Sequence, residues 1–232
     1  MNFEKQYLSL RRREGHVYTN EEVAGLPETG HTHPCFSYWA ARKRSAARLL
    51  EYIRGKHRYQ RILEVGCGNG WLSAKMAAIP KTMVTGIDIN LAELEQAISV
   101  FNGRKNLAFT YGDIRDDDFL DSSFNIIVFG DSLSYFPSVY EIIHKALSLL
   151  PPCGEIHIID TPFARKVQSQ SLAEKSNQYF TSLGVPCMND YFYHHFLDEV
   201  EPFRYNILHN PSSMLNRIFR HDGGLPWIRI TK

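Results

Sequence analysis

The stretch Leu63-Glu64-Val65-Gly66-Cys67-Gly68-Asn69-Gly70 sets an apolar run against three glycines at alternate positions. Glycine suits a backbone that must turn sharply or lie bare against a ligand. A helix starting behind such a turn offers unpaired N–H groups to an electron-rich group. Dinucleotide-binding turns space their glycines as G-x-G-x-x-G. Here Gly70 comes one residue early and Trp71 stands where that fingerprint wants Gly or Ala, which counts against NAD or FAD. Asp88 ends the next apolar run, in the register where a carboxylate accepts from both hydroxyls of a ribose. Asp113 ends a third run at the same sheet edge, where it can accept from an exocyclic amino group such as adenine N6, with Ile89 and Ile114 placed to sandwich a flat ring. Singly, either acid reads equally well as a helix N-cap. Their joint placement at strand ends, where open α/β sheets bind ligands, favours the ligand.

The elements that must hold these residues alternate. Strands are predicted at 61–65, 82–88, 107–113, 124–130 and 154–160, the fourth a near-continuous apolar run expected of a strand buried on both faces. Helices are predicted between them: one from about Gly70, one capped by Asn90 with Glu93 completing a capping box and Leu91, Leu94, Ile98 and Phe101 on one face, and one through Val139, Ile142, Ile143, Ala146 and Leu150, stopped by Pro151 and Pro152. An earlier amphipathic helix carries Trp39, Ala46, Leu50 and Ile53 and ends at Gly55. Strand–helix alternation over such a length implies a parallel sheet with helices on both faces. A long helix over 164–182 and late strands near 203–208 and 226–231 complete the chain.

With E-V-G-C-G-N-G, then G-I-D, then G-D-I in that order, residues 36–163 resemble the class I S-adenosylmethionine-dependent methyltransferases, closest to the small-molecule branch. The resemblance implies an α/β fold: a three-layer α-β-α sandwich on a mostly parallel seven-stranded sheet whose last strand is antiparallel. It implies S-adenosylmethionine as cofactor, with S-adenosylhomocysteine as product. Carried over by position, Glu64, Gly66, Cys67 and Gly68 line the methionine end, Asp88 the ribose, Asp113 and Ile114, with Ile89, the adenine, and Asp131 with Ser132 the wall after strand four. The family's usual Asp at the start of strand four is Asn125 here, a position that supports structure more than binding. The Asn/Asp-Pro-Pro-aromatic signature of amino-directed methylases is replaced by Gly130-Asp131-Ser132-Leu133-Ser134, which sets amino-group methylation of DNA bases aside. A nicotinamide-dependent oxidoreductase and a non-catalytic S-adenosylmethionine-binding protein remain as alternatives.

If the acceptor must lose a proton, His194 or His195 is the expected base. Both lie in the aromatic stretch Tyr191–Phe196, where the family often places a cap over the substrate, and adjacent helical residues cannot both face one small site. Tyr135 and Asp160 lie just beyond strands four and five, as substrate contacts or turn residues. Phe163, Phe192, Tyr193 and Trp39 favour a partly aromatic acceptor. His31-Thr32-His33-Pro34-Cys35 has no second ligand cluster to match it, so no metal is expected. Arg11–Arg13 and the basic face near Arg42–Arg44 read as solvated.

The organisation expected is one domain over 1–232: an N-terminal arm of low helical content (1–35), a cofactor-binding core (36–163), a helix and substrate cap (164–200) and closing strands (201–232). The 26 Lys+Arg against 25 Asp+Glu, a net charge of +1, lack the basic excess of a duplex binder, so nucleic acid is not expected as a partner. Four scattered cysteines, a charged N-terminal stretch and no long apolar run suggest a cytoplasmic protein without signal peptide or membrane span. A chain of 232 residues leaves little beyond the core, which points to a small-molecule acceptor and says nothing of oligomeric state.

Overall fold

The computed structural model describes residues 3–116, 124–164, 168–211 and 224–232. Its centre is a seven-stranded sheet, built from β1 (Gln60–Val65), β2 (Thr82–Asp88), β3 (Leu107–Tyr111), β4 (Ile126–Gly130), β5 (Glu155–Ile159), β8 (Tyr205–His209) and β9 (Trp227–Thr231) in the order β3-β2-β1-β4-β5-β9-β8. The first five are mutually parallel, while β9 runs antiparallel to both β5 and β8. The expected architecture, with the last strand reversed, is the observed one. Strand order reverses direction at β1, so the crevice between the C-terminal ends of β1 and β4 is where a ligand is expected to sit.

Alternation along the strands sends side chains to two cores. Ile62, Val84, Ile126 and Val128 meet Ala46, Leu49 and Ile53 of α3 (Phe36–Arg54) and Leu72 and Met76 of α4 (Trp71–Ala77). Leu63, Val65, Ile127, Phe129 and Ile156 meet Val139, Ile142, Ile143 and Ala146 of α6 (Val139–Ser148). Each buried Val or Ile is worth about 1.5–3 kcal/mol of transfer free energy, so α6 is held mainly by this stripe, and Ser138 caps it by accepting from Glu141 N–H. Asn125 has the supporting role expected of it: its Oδ1 accepts from Arg61 N–H at 2.9 Å, tying the start of β4 to β1.

Helix α5 (Leu91–Phe101) is capped by Asn90 as expected, but its buried face is Leu94, Ala97 and Phe101, with Leu91 and Ile98 exposed. Glu93 does not close a capping box, because its side chain turns into the crevice instead.

The N-terminal arm corrects the expectation of low helical content. It forms α1 (Phe3–Arg13) and α2 (Asn20–Gly25). In α1, Phe3, Tyr7 and Leu10 repeat at i, i+4, i+7 with Glu4 in the first turn and three arginines in the last, the charge order a helix dipole prefers. In α2, Thr19 and Glu22 form the capping box. The long helix is α7 (Ser169–Ser182), and residues 165–167 of its expected span lie outside the described residues, as do 212–223 of the closing segment. Residues 191–196 are not helical: β7 (His195–Phe196) pairs with β6 (Phe163–Ala164).

Candidate active site

At the C-terminal edge of the sheet lies a cavity of about 400 Å³ whose wall includes Glu64, Gly66, Cys67, Gly68, Asp88, Ile89, Asp113, Ile114, Asp131 and Ser132, together with Tyr135. The structure thus brings together every residue expected at the cofactor, although they come from four different strand ends.

The floor is the turn after β1. Gly66 has φ +70°, and a Cβ there would stand 2.5 Å from Ser132 Cβ, so the bare backbone is what lets the turns after β1 and β4 meet. Ser132 Oγ donates to Val65 O and locks that contact. Gly70, also left-handed at φ +75°, serves packing: a Cβ would lie 2.4 Å from Phe109 Cζ and 2.8 Å from Ala97 Cβ. The third glycine is therefore early because α4 must approach β3 and α5 closely.

Asp88 spans the turn. Its Oδ2 accepts from Gly68 N–H at 2.7 Å and its Oδ1 from Asn90 N–H at 2.8 Å, while both oxygens keep lone pairs for a ligand. Burial raises its pKa, partly offset by these backbone donors. Glu64, buried at the end of β1, accepts from Ser73 Oγ, and burial lifts it to about 8 despite that bond. Burial and the neighbouring Asp88 also lift Glu93 to about 7. Asp113 differs, because burial is outweighed by the Arg115 guanidinium and backbone N–H, which hold its carboxyl below the usual range.

Asp131 has φ +63° and faces α3, where it pairs with Arg42 and accepts from Tyr38 Oη at 3.1 Å. The Arg42 guanidinium lies 3.4 Å over the Tyr38 ring. Asp160, left-handed at φ +58°, accepts from Ser45 Oγ at 2.7 Å and is pushed up to about 6 by burial.

The structure places neither expected histidine base on this wall. His195 is buried, its Nε2 3.0 Å from Leu133 O and its Nδ1 3.3 Å from Glu199 Oε2. His194 Nε2 bonds Ser176 Oγ at 2.8 Å. The extended pairing of β7 with β6 carries His195 away from the wall, and His194 is engaged by α7 through Ser176. Of the expected aromatic contacts, Trp39 and Tyr193 reach the wall, whereas Phe192 packs on Tyr135 and Phe163 on the core cluster of Phe129 and Ile158.

Several wall residues were missed. Phe3, Tyr7 and Arg11 of α1 close the cavity from above, and Arg11 and Arg42, read as solvated, face inward. Phe3 packs on Tyr135 and Tyr191 at 5.7 and 5.4 Å between ring centroids, and Tyr7 on Tyr135 at 5.4 Å. Glu4 Oε1 accepts from Leu91 N–H, fastening α1 to the start of α5. The Phe3–Tyr7 spacing was the available signal for this roof.

The sequence profile of a methyltransferase domain matches residues 56–206. The chain belongs to the methyltransferase-domain family. Among curated relatives, this methyltransferase domain is 29% identical over 137 residues to 27-O-demethylrifamycin SV methyltransferase of Amycolatopsis mediterranei, covering 53% of this chain and 49% of that protein. It is 27% identical over 139 residues to trans-aconitate 2-methyltransferase of Deinococcus radiodurans, covering 60% and 52%. The chain spans about half the length of the curated relatives it matches. Among solved structures, the magnesium protoporphyrin IX methyltransferase of Synechocystis, with bound S-adenosylhomocysteine, superposes with a TM-score of 0.62 at 13% identity over 98% of this chain and 94% of that one. Plantazolicin methyltransferase in complex with S-adenosylhomocysteine gives 0.58 at 16%, over 98% and 99%. The fold is that of the class I S-adenosylmethionine-dependent methyltransferases. No helix among the described residues is long and apolar enough to cross a membrane.

Proposed function

We propose that this chain transfers a methyl group from S-adenosylmethionine to a small-molecule acceptor held in the same cavity. The observation that carries this reading is Asp88: a buried carboxylate at the end of β2 that braces Gly68 N–H and keeps lone pairs toward the cavity beside the bare Gly66 turn. That donor and acceptor set suits a ribose and an amino-acid tail. The cofactor, when bound, supplies a methyl group already activated on a sulfonium centre.

The chain's part is then to bind, align and exclude water. Asp88 takes the ribose hydroxyls, the Gly66–Gly68 turn accommodates the methionine end, and Ile89 and Ile114 flank the adenine beside Asp113. Phe3 and Tyr7, packed on Tyr135 and Tyr191, seal the acceptor side from solvent. Where an acceptor must lose a proton, Glu93 at about 7 and Asp160 at about 6 are cavity groups able to take it near neutrality. A concave cavity of about 400 Å³ favours a small acceptor over a polymer.

Two measurements test the reading. S-adenosylhomocysteine should raise the melting temperature while NAD leaves it unchanged, since a ligand stabilises the state it binds. Label from methyl-labelled S-adenosylmethionine should appear in a small-molecule product. Stabilisation by NAD alone would overturn the assignment in favour of an oxidoreductase; cofactor binding with no transfer to any acceptor would leave a binding protein.

A further inference from the structure

Most charged groups of the cavity already have partners within the chain. Asp131 is closed on Arg42, Asp113 on Arg115, Asp160 on Ser45 and Glu64 on Ser73. Arg11 is different. It reaches the cavity from the roof, and its guanidinium carbon lies 5.8 Å from the Tyr7 ring and 5.9 Å from the Tyr38 ring. One Nη donates to His16 Nδ1 at 2.6 Å and stands 3.5 Å from Glu14, but Nε is buried with no hydrogen-bond partner among the described residues. The hydroxyls of Tyr7 and Tyr135, whose rings touch at 5.4 Å, likewise have no hydrogen-bond partner among the described residues.

Arg11 and two phenols without an intramolecular acceptor among the described residues thus line one space. A buried donor left unsatisfied is costly, which applies here to Arg11 Nε, while the two hydroxyls stand on the cavity wall, open to a group that can accept from them. Burial raises the pKa of both phenols, which keeps them as O–H donors at any working pH. The group that satisfies a planar guanidinium fork plus two hydroxyls is a planar, two-oxygen anion. An ammonium would be repelled by the guanidinium.

We propose that the methyl acceptor carries a carboxylate, anchored by Arg11 with Tyr7 and Tyr135 donating to it, the remainder of the acceptor lying against the Phe3 and Tyr191 rings. This deepens the methyl-transfer reading and rests on it. The competing occupant is the α-carboxylate of the cofactor itself. Arg42 is the cation placed for that end, because from α3 it pairs with Asp131, whose neighbour Ser132 packs on the Gly66 turn, whereas Arg11 lies on the roof among Tyr7, Tyr38 and Tyr135.

The test uses the full chain and three variants, Arg11→Met, Arg11→Lys and Tyr7→Phe, the last removing one hydroxyl with little risk to folding. Calorimetry with S-adenosylhomocysteine should give Kd values within threefold of wild type for all of them. A small-molecule cell extract is split on an anion exchanger, and each fraction is offered with methyl-labelled S-adenosylmethionine. Label should pass only to the retained fraction, and carbodiimide amidation of that fraction should abolish it. Arg11→Met should lose at least tenfold in rate at sub-saturating extract, Arg11→Lys should recover part of it, and Tyr7→Phe should lose about threefold or more. Label passing to the unretained fraction, label surviving amidation, or wild-type rates in both Arg11→Met and Tyr7→Phe would each overturn the proposal. A tenfold weaker Kd for S-adenosylhomocysteine in Arg11→Met would assign Arg11 to the cofactor and overturn it equally. A wild type that binds no S-adenosylhomocysteine, or labels neither fraction, refutes the methyl-transfer reading underneath.

Discussion

Replacing Asp88 with Asn tests the cofactor assignment and the local architecture together. The carboxylate accepts two backbone N–H bonds, at 2.7 Å from Gly68 and 2.8 Å from Asn90. Its remaining lone pairs are assigned to two ribose hydroxyls. Hydrogen bonds to a charged acceptor are worth about 1.5–3 kcal/mol each. Asparagine keeps one oxygen and loses the charge, so about 2–4 kcal/mol of ligand binding should go, which weakens affinity roughly 30- to 1000-fold. The amide NH2 must also face Gly68 N–H or Asn90 N–H, donor against donor. That costs the ligand-free protein about 1–3 kcal/mol and lowers the melting temperature by about 2–12 °C for a domain of this size. Calorimetry with S-adenosylhomocysteine at pH 8 is the assay, chosen because burial raises the Asp88 pKa and the carboxylate must be ionised in the wild type. Asp88→Asn binding within threefold of wild type, in a protein of unchanged melting temperature, would refute both the ribose role and the brace.

Two further substitutions probe the frame. Gly70→Ala should destabilise the fold by about 2 kcal/mol or more in urea unfolding, because the left-handed backbone disfavours a Cβ and that Cβ would lie 2.4 Å from Phe109 Cζ; a change under about 0.5 kcal/mol would contradict the packing account. Glu155 at the start of β5 accepts from Tyr52 Oη and Lys56 Nζ and lies 3.4 Å from His157, and although burial opposes its charge, His157 and Lys56 bring it down to about 2 from its ordinary 4.5. A depressed carboxylate contributes stability above its unfolded pKa and loses it as pH falls through the folded one. Glu155→Gln should therefore be less stable than wild type by on the order of 2–3 kcal/mol at pH 7, with the gap closing between about pH 4.5 and 2; a gap independent of pH would refute the ionic account.

The parts of this protein that local sequence determined are those where one stretch of chain carries its own reason. Val84, Ile87, Ile126 and Val128 sit in short apolar runs whose only stable place is a sheet covered on both faces, so the strand order of a doubly wound fold followed from alternation with helices. Gly66 and Asp88 were legible because a turn against bare backbone and an acid at a strand end are each dictated within a few residues. Tertiary structure decided what depends on distant partners. The arginines of α1 and α3 look alike in sequence, yet Arg13 is exposed while Arg11 and Arg42 face the cavity, Arg11 because Phe3 and Tyr7 find Tyr135 and Tyr191 more than a hundred residues away, and Arg42 because it pairs with Asp131 after β4. His195 carried the residue type of a base, but pairing of β7 with β6 buries it against Leu133 and Glu199. Glu93 carried the spacing of a capping box, yet it turns into the cavity beside Asp88, whose charge and burial then hold it near neutral pH. Spacing along the chain specifies which side chains share a face of one element. What that face meets is a property of the packed molecule, because contact energies between remote residues exist only once the sheet has brought their elements together.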